Sequence, residues 1–158
     1  EPVFSRYPEK VVGWGIRALD RCLKGLTKAK SVAHICYSYP MPGVPRPIVD
    51  SYPVILEALE YSKVDQLALE FEASKLEPSL LRKCPSKTVL VGCIDNGNNA
   101  IENPRDIADK LLAAAEYLPP TQIQAAPDCG LVPLPIDIAR LKLKVMVEGA
   151  KLARQEFQ

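Results

Sequence analysis

No apolar run in the chain approaches the roughly 18 residues a membrane-spanning helix needs, so no membrane partner is expected. The opening residues, Glu1-Pro2-Val3-Phe4-Ser5-Arg6, lack the charged-then-apolar order of a secretion signal. An excess of one charge is also missing. Twenty Lys and Arg stand against nineteen Asp and Glu, and the resulting +1 offers no long-range field to nucleic acid, so no nucleic acid is expected either. There is no G-x-G-x-x-G and no Gly-rich loop ending in Lys-Ser or Lys-Thr, which removes the common backbone cradles for nucleotide phosphates. A single histidine, His34, allows a Ser-His-Asp triad only with that residue as base, and no nucleophile elbow accompanies it. The five cysteines are odd in number and widely separated, so they do not form a disulfide framework. Free thiols suit metal binding or catalysis in a reducing compartment, and a cytoplasmic location is expected.

What is present is ordinary in composition: 158 residues, 47% apolar and 25% charged, enough for one domain over 1–158 with its own core. Prolines are the exception, at 15 residues, about double the usual share. The chain also opens without a methionine, as a segment of a longer gene product would.

Short apolar runs alternate with stretches of helical spacing. The runs 31–36, 66–71, 88–94 and 123–126 read as buried parallel strands. Helices are predicted over 8–23, with Val11, Val12, Ile16, Leu19 and Leu23 on one stripe, and over 51–61. Another starts at Asn103-Pro104, a cap followed by a first-turn proline, and stops at Pro119-Pro120. A last helix opens at Pro135, with Ile138, Leu141, Val145 and Leu152 inward and Lys142, Lys144, Lys151 and Arg154 solvated. Leu80-Leu81 fits a short helical turn, Pro2-Val3-Phe4 a further strand end, and Trp14 a packing role. The alternation predicts an α/β fold with a parallel sheet. Length favours a small open sheet, while the missing phosphate loops favour a piece of an eightfold barrel. The proline-rich stretch 39–47 fits a stiff loop over a strand end.

His34-Ile35-Cys36 is the sharpest local feature, because residues two apart on a strand share a face. A buried imidazole beside a structural cysteine is the plainer account of the same pair. Glu70 and Glu72 share parity at the end of the next strand, and Asp128-Cys129-Gly130 follows the last one. Parallel strands put all carboxyl ends at one mouth, so His34, Cys36, one of the two acids and Cys129 would meet there. One imidazole, two thiolates and one carboxylate suit zinc better than magnesium or calcium. Cys22 and Cys84 carry no assigned role.

Four ordered stretches carry a resemblance: His34-Ile35-Cys36-Tyr37-Ser38, Val64 to Phe71, Gly92-Cys93-Ile94-Asp95-Asn96 and Ala126-Pro127-Asp128-Cys129-Gly130-Leu131. They resemble successive motifs of the cobalamin-independent methionine synthase family, including its shorter relatives and the epoxyalkane coenzyme M transferases. The likeness runs over essentially the whole chain, and Glu1-Pro2 resembles the tail of the family's Asp-Glu-Pro motif. It implies the C-terminal half, four to five β/α units, of a TIM-type β/α barrel.

The resemblance further implies zinc held by His34, Cys36, Glu70 and Cys129, with Glu72 as second choice for the carboxylate. Asp95 would be the catalytic acid after the third strand, and Glu1, Asp95 and Asn99 would bind substrate. The implied activity is S-alkyl, chiefly S-methyl, transfer from a small alkyl donor to a small-molecule thiol, the zinc-bound thiolate being the nucleophile. A histidine that the family's methionine synthases carry shortly after the equivalent of Asp95 is replaced here by Asn96-Gly97-Asn98-Asn99, which leaves the donor open. A half-barrel exposes strand edges, so an N-terminal half-barrel or a second copy is expected to cover them. The alternatives are a non-catalytic barrel half acting in assembly or binding, and a metal-free decarboxylase-like barrel, for which no strand-mouth arginine cluster is evident.

Overall fold

Pro8 opens the first helix because its missing N–H falls in the first turn, where no intrahelical acceptor exists. This helix, α1, covers residues 8–22 in three pieces: Pro8–Lys10, a π-helical turn Val11–Gly15, and Ile16–Cys22. Across the π turn the Ile16 N–H reaches back five residues to the Val11 carbonyl. The wider turn sets Ile16, Leu19 and Leu23 on the core side with buried Val11. It also rotates Val12 and Trp14 outward, so Val12 leaves the predicted stripe and Trp14, 58% exposed, does not pack as expected.

The computed structural model describes residues 5–39, 46 and 48–157. Glu1, the strand end expected at 2–4, and the proline-rich stretch other than Tyr39 and Arg46 lie outside the described residues. Strands β1 (Val32–Ile35), β2 (Gln66–Leu69), β3 (Thr88–Ile94) and β4 (Ile123–Pro127) form one parallel sheet in chain order. The register sets Val32 beside Gln66, Gln66 beside Thr88, and Val89 beside Ile123, with a bulge between Gly92 and Ile94. Helices α2 (Tyr52–Glu60), α3 (Pro104–Ala115) and α4 (Ile136–Glu156) fill the connections. A 3-10 turn, Pro78–Lys83, holds Leu80-Leu81 where a helical turn was expected. Asn103 caps α3 by accepting from the Arg105 N–H at 2.8 Å. Among the described residues no helix is long and apolar enough to cross a membrane.

β2 and the first half of β3 are buried on one face rather than both, whereas β3 is buried throughout from Val91 to Ile94. Leu67, Leu69, Val89 and Val91 sit in the hydrophobic core, whereas Gln66, Ala68, Thr88 and Leu90, at the alternate positions, remain half-buried. His34 belongs to the half-buried set. α4 lies close against α3 at Gly149, where an added Cβ would come within 2.6 Å of Ile107. Lys142 on α4 is fully buried, against its predicted solvated place: its ammonium donates to the Ala100 carbonyl at 2.5 Å and pairs with Glu102 at 2.7 Å. Glu102 in turn accepts from the Asp95 N–H at 3.0 Å, so α4 pins the loop after β3 from below.

At the opposite end of the sheet, the Ser31 N–H and hydroxyl each donate to Asp65 at 2.8 Å, and Lys30 lies at 3.1 Å. The Ser31 amide, then its hydroxyl, then Lys30 hold the Asp65 carboxyl down at about 2. A depressed folded-state pKa gives stability that is present above the unfolded value and lost as pH falls through the folded one. Asp65→Asn is therefore expected to lower the thermal midpoint near neutrality and to converge with the parent between about pH 4 and pH 2. Midpoints that stay separated by the same amount throughout that window would contradict the assignment.

Candidate metal centre

β1 ends by directing Ile35 into the core, which leaves its neighbours His34 and Cys36 to the other side. Cys129 arrives from the loop after β4. One ligand atom from each of His34, Cys36 and Cys129 lies within 4.8 Å of the other two. β1 and β4 are separated by two intervening strands. At roughly 4.8 Å per strand the two loops must converge for this contact to form.

The electrostatics of the trio favour one negative sulfur. The Cys36 thiol is pulled down, chiefly by the hydrogen bond with Cys129, then against burial by His34 and the Ser38 backbone. The Cys129 thiol moves the opposite way because it donates to Cys36, is itself buried and faces the Cys36 charge. One proton thus serves two sulfurs. Ser38 is at φ +89°, a left-handed conformation unusual for a side-chain-bearing residue, in the turn that offers its N–H to Cys36. An imidazole and two close sulfurs are a donor set that suits a borderline-soft cation, zinc foremost.

Glu70, the predicted fourth ligand, is not within this three-residue group. Its side chain is fully buried and both oxygens are engaged. Oε1 accepts from the Tyr37 N–H at 2.8 Å and the Ser74 hydroxyl at 2.6 Å, and Oε2 from Arg46 at 2.6 Å. Burial pushes its carboxyl up, while Ser74, the Tyr37 amide and Arg46 pull it back. Glu72, the second choice, points elsewhere: it pairs with Lys75 at 2.8 Å and with Lys110 of α3 at 2.5 Å. Equal parity does not carry from Glu70 to Glu72 because β2 stops at Leu69 and a turn follows.

Asp95 stands in the turn after β3, and its carboxylate accepts from the Gly97 N–H at 2.7 Å and the Asn98 amide at 2.5 Å. Asn99 is exposed and lines a cleft of about 390 Å³ with Asn96, Gly97, Asn98, Pro133 and Leu134. Glu1 lies outside the described residues. Three residues beyond the expected set shape the site. Arg46 holds Glu70, Asn96 donates to the Cys129 and Gly130 carbonyls, and Asp128 accepts from the Glu72 and Ala73 amides at 3.0 and 2.5 Å. Burial lifts the Asp128 carboxyl to about 7. Asn96 and Asp128 fall inside the motifs singled out in the sequence, next to residues given roles there. Arg46 had no such signal.

Residues 19–152 match the family model described as the catalytic domain of cobalamin-independent synthase. The methionine synthase of Sulfurisphaera tokodaii is 34% identical over 158 residues, covering all of this chain and 43% of that protein. The methionine synthase of Saccharolobus solfataricus is 33% identical over 160 residues, covering 44% of its length. Among solved structures, a B12-independent methionine synthase from Shewanella sp. W3-18-1, in complex with selenomethionine, superposes with a TM-score of 0.89 at 30% identity. That match covers 99% of this chain and 47% of the other. The chain therefore spans less than half the length of these relatives.

Proposed function

The chain belongs to the cobalamin-independent synthase family, matching its catalytic domain, and from that premise we propose that it is the zinc-holding part of a thiol S-methyltransferase of the methionine synthase kind. The supporting observation is the meeting of His34, Cys36 and Cys129 within 4.8 Å. These three would hold the metal. Glu70 is the carboxylate proposed to complete the set, since it already accepts from the Tyr37 amide next to Cys36. Zinc bound there would supply Lewis acidity, lowering the pKa of a bound thiol from about 8.5 so that its thiolate persists at neutral pH.

The chain's own residues contribute orientation and exclusion of water. Cys36 and Glu70 are buried, so their charges act at low dielectric. Asp95 and Asn99, on the loop pinned by Lys142 and Glu102, are proposed to bind polar groups of the substrate, Asp95 as the catalytic acid, with Glu1 on the amine of the acceptor. Residues 1–158 would form one β/α unit, the C-terminal half of a barrel. An N-terminal half-barrel or a second copy would pair with the outer edges that β1 and β4 present among the described residues. Free thiols throughout fit a cytoplasmic setting. Asn96 to Asn99 supply no histidine, so the methyl donor need not be a folate.

Elemental analysis of the purified chain tests the first step. Close to one zinc per chain is expected, with Cys36→Ser and Cys129→Ser each reduced to a small fraction, and methyl transfer to homocysteine lost in parallel. Zinc far below one per chain, unchanged by Cys36→Ser, would overturn the proposal. Stoichiometric zinc without transfer to any thiol would favour the binding or assembly role instead.

A further inference from the structure

The loop after β3 carries a carboxamide that is almost wholly buried, an expensive placement unless its polar atoms are matched. Asn96 matches them on a different loop. Its Nδ2 donates to the Cys129 carbonyl at 2.9 Å and the Gly130 carbonyl at 2.8 Å, and its Oδ1 accepts from the Cys129 N–H at 3.3 Å. The N–H and the carbonyl of Cys129 flank its Cα, so gripping both fixes the direction of the Cα–Cβ bond. The sulfur is then left with a choice of side-chain rotamer and little else. Asparagine suits the task because one planar group both donates twice and accepts. Aspartate would set an oxygen against two carbonyls, and alanine would leave all three backbone groups unmatched. Asp128, its carboxylate tied to the Glu72 and Ala73 amides, anchors the same loop one residue earlier.

We infer that Asn96 is a positioning residue for the Cys129 sulfur, holding it at the reach of Cys36 through the backbone of residue 129. This rests on the proposed metal centre for its consequence, since the affinity of the site would depend on it, but the spacing of the two thiols can be probed without metal. Residues that orient ligands typically cost 10- to 100-fold in metal affinity when removed.

The test compares Asn96→Ala and Asn96→Asp, each alone and combined with Cys129→Ser. Zinc affinity is measured by competition with a chromophoric chelator. Thiol spacing is measured with phenylarsine oxide, in which two sulfurs bond to one arsenic as water leaves. Both single variants are expected to bind zinc about 10- to 100-fold more weakly, to show a weaker thiolate-to-cobalt charge-transfer band, and to lose arsenical affinity. In the Cys129→Ser background the same changes at position 96 should alter zinc affinity by less than about twofold, because the sulfur they act through is gone. A residue that merely supports the fold would cost the same in both backgrounds, and that result would overturn the inference. So would parental zinc and arsenical affinities in the two single variants. A parent chain that captures the arsenical but no zinc would remove the metal reading, while the arsenical series would still decide the role of Asn96.

Discussion

Arg46→Met is expected to destabilise the fold by about 3–5 kcal/mol, the usual cost of stranding one member of a buried ion pair. Glu70 is wholly buried and the Arg46 side chain is 10% exposed, with 2.6 Å between Nη1 and Oε2. Arg46 also donates to the Ser38 carbonyl at 3.1 Å and the Ser74 hydroxyl at 3.3 Å, so its loss opens three contacts across two loops. The Tyr37 amide and Ser74 would be left to hold the Glu70 charge by themselves. Chemical denaturation measures the loss. Adding Glu70→Gln, which removes the stranded charge, should recover most of it. A single variant within about 1 kcal/mol of the parent would mean that water reaches Glu70 and that the pair is not the anchor described.

Gly92→Ala should be nearly as damaging, about 3 kcal/mol or more, at the high end of overpacking. A Cβ at this position would stand 2.1 Å from Asp128 Oδ1 and 2.6 Å from the Leu69 carbonyl oxygen. Neither neighbour can yield cheaply. The carbonyl belongs to β2, and the Asp128 carboxylate is held by the Glu72 and Ala73 amides. Asp128 precedes Cys129, so under the proposed metal centre displacing it should weaken zinc binding together with stability. Gly13→Ala is the control, because nothing lies within 4 Å of its added Cβ and its backbone is helical. It should be neutral or slightly stabilising. Equal effects of the two substitutions would show that the crowding at Gly92 is relieved by movement.

Much of this architecture is legible in the order of residues. Prolines at 8, 104 and 135 mark helix entrances, and short Val- and Leu-rich runs mark strands whose ends then face one way. Parity alone brings His34 and Cys36 to a shared side, and a cysteine before glycine after the last strand completes the trio. What escapes such inspection depends on partners remote in the chain. Lys142 looks like any solvated lysine until Glu102, 40 residues away, is placed beside it. Arg46 sits in a proline-rich stretch with nothing nearby to suggest Glu70. Trp14 faces out because a π turn, not an α turn, precedes Ile16, and no spacing rule applied at 3.6 residues per turn anticipates that. Glu72 was tied to Glu70 by a strand periodicity that had already ended.

The strands join in the order in which they are synthesised. Among the described strands each one after β1 pairs with the strand just before it in the chain, so neighbours in sequence are neighbours in the sheet. The trio of His34, Cys36 and Cys129 breaks this rule. His34 and Cys36 lie at the end of β1, whereas Cys129 follows β4. A cation held by all three, as proposed, would therefore tie the two outer strands of this sheet to each other, so that its removal would loosen both margins at once.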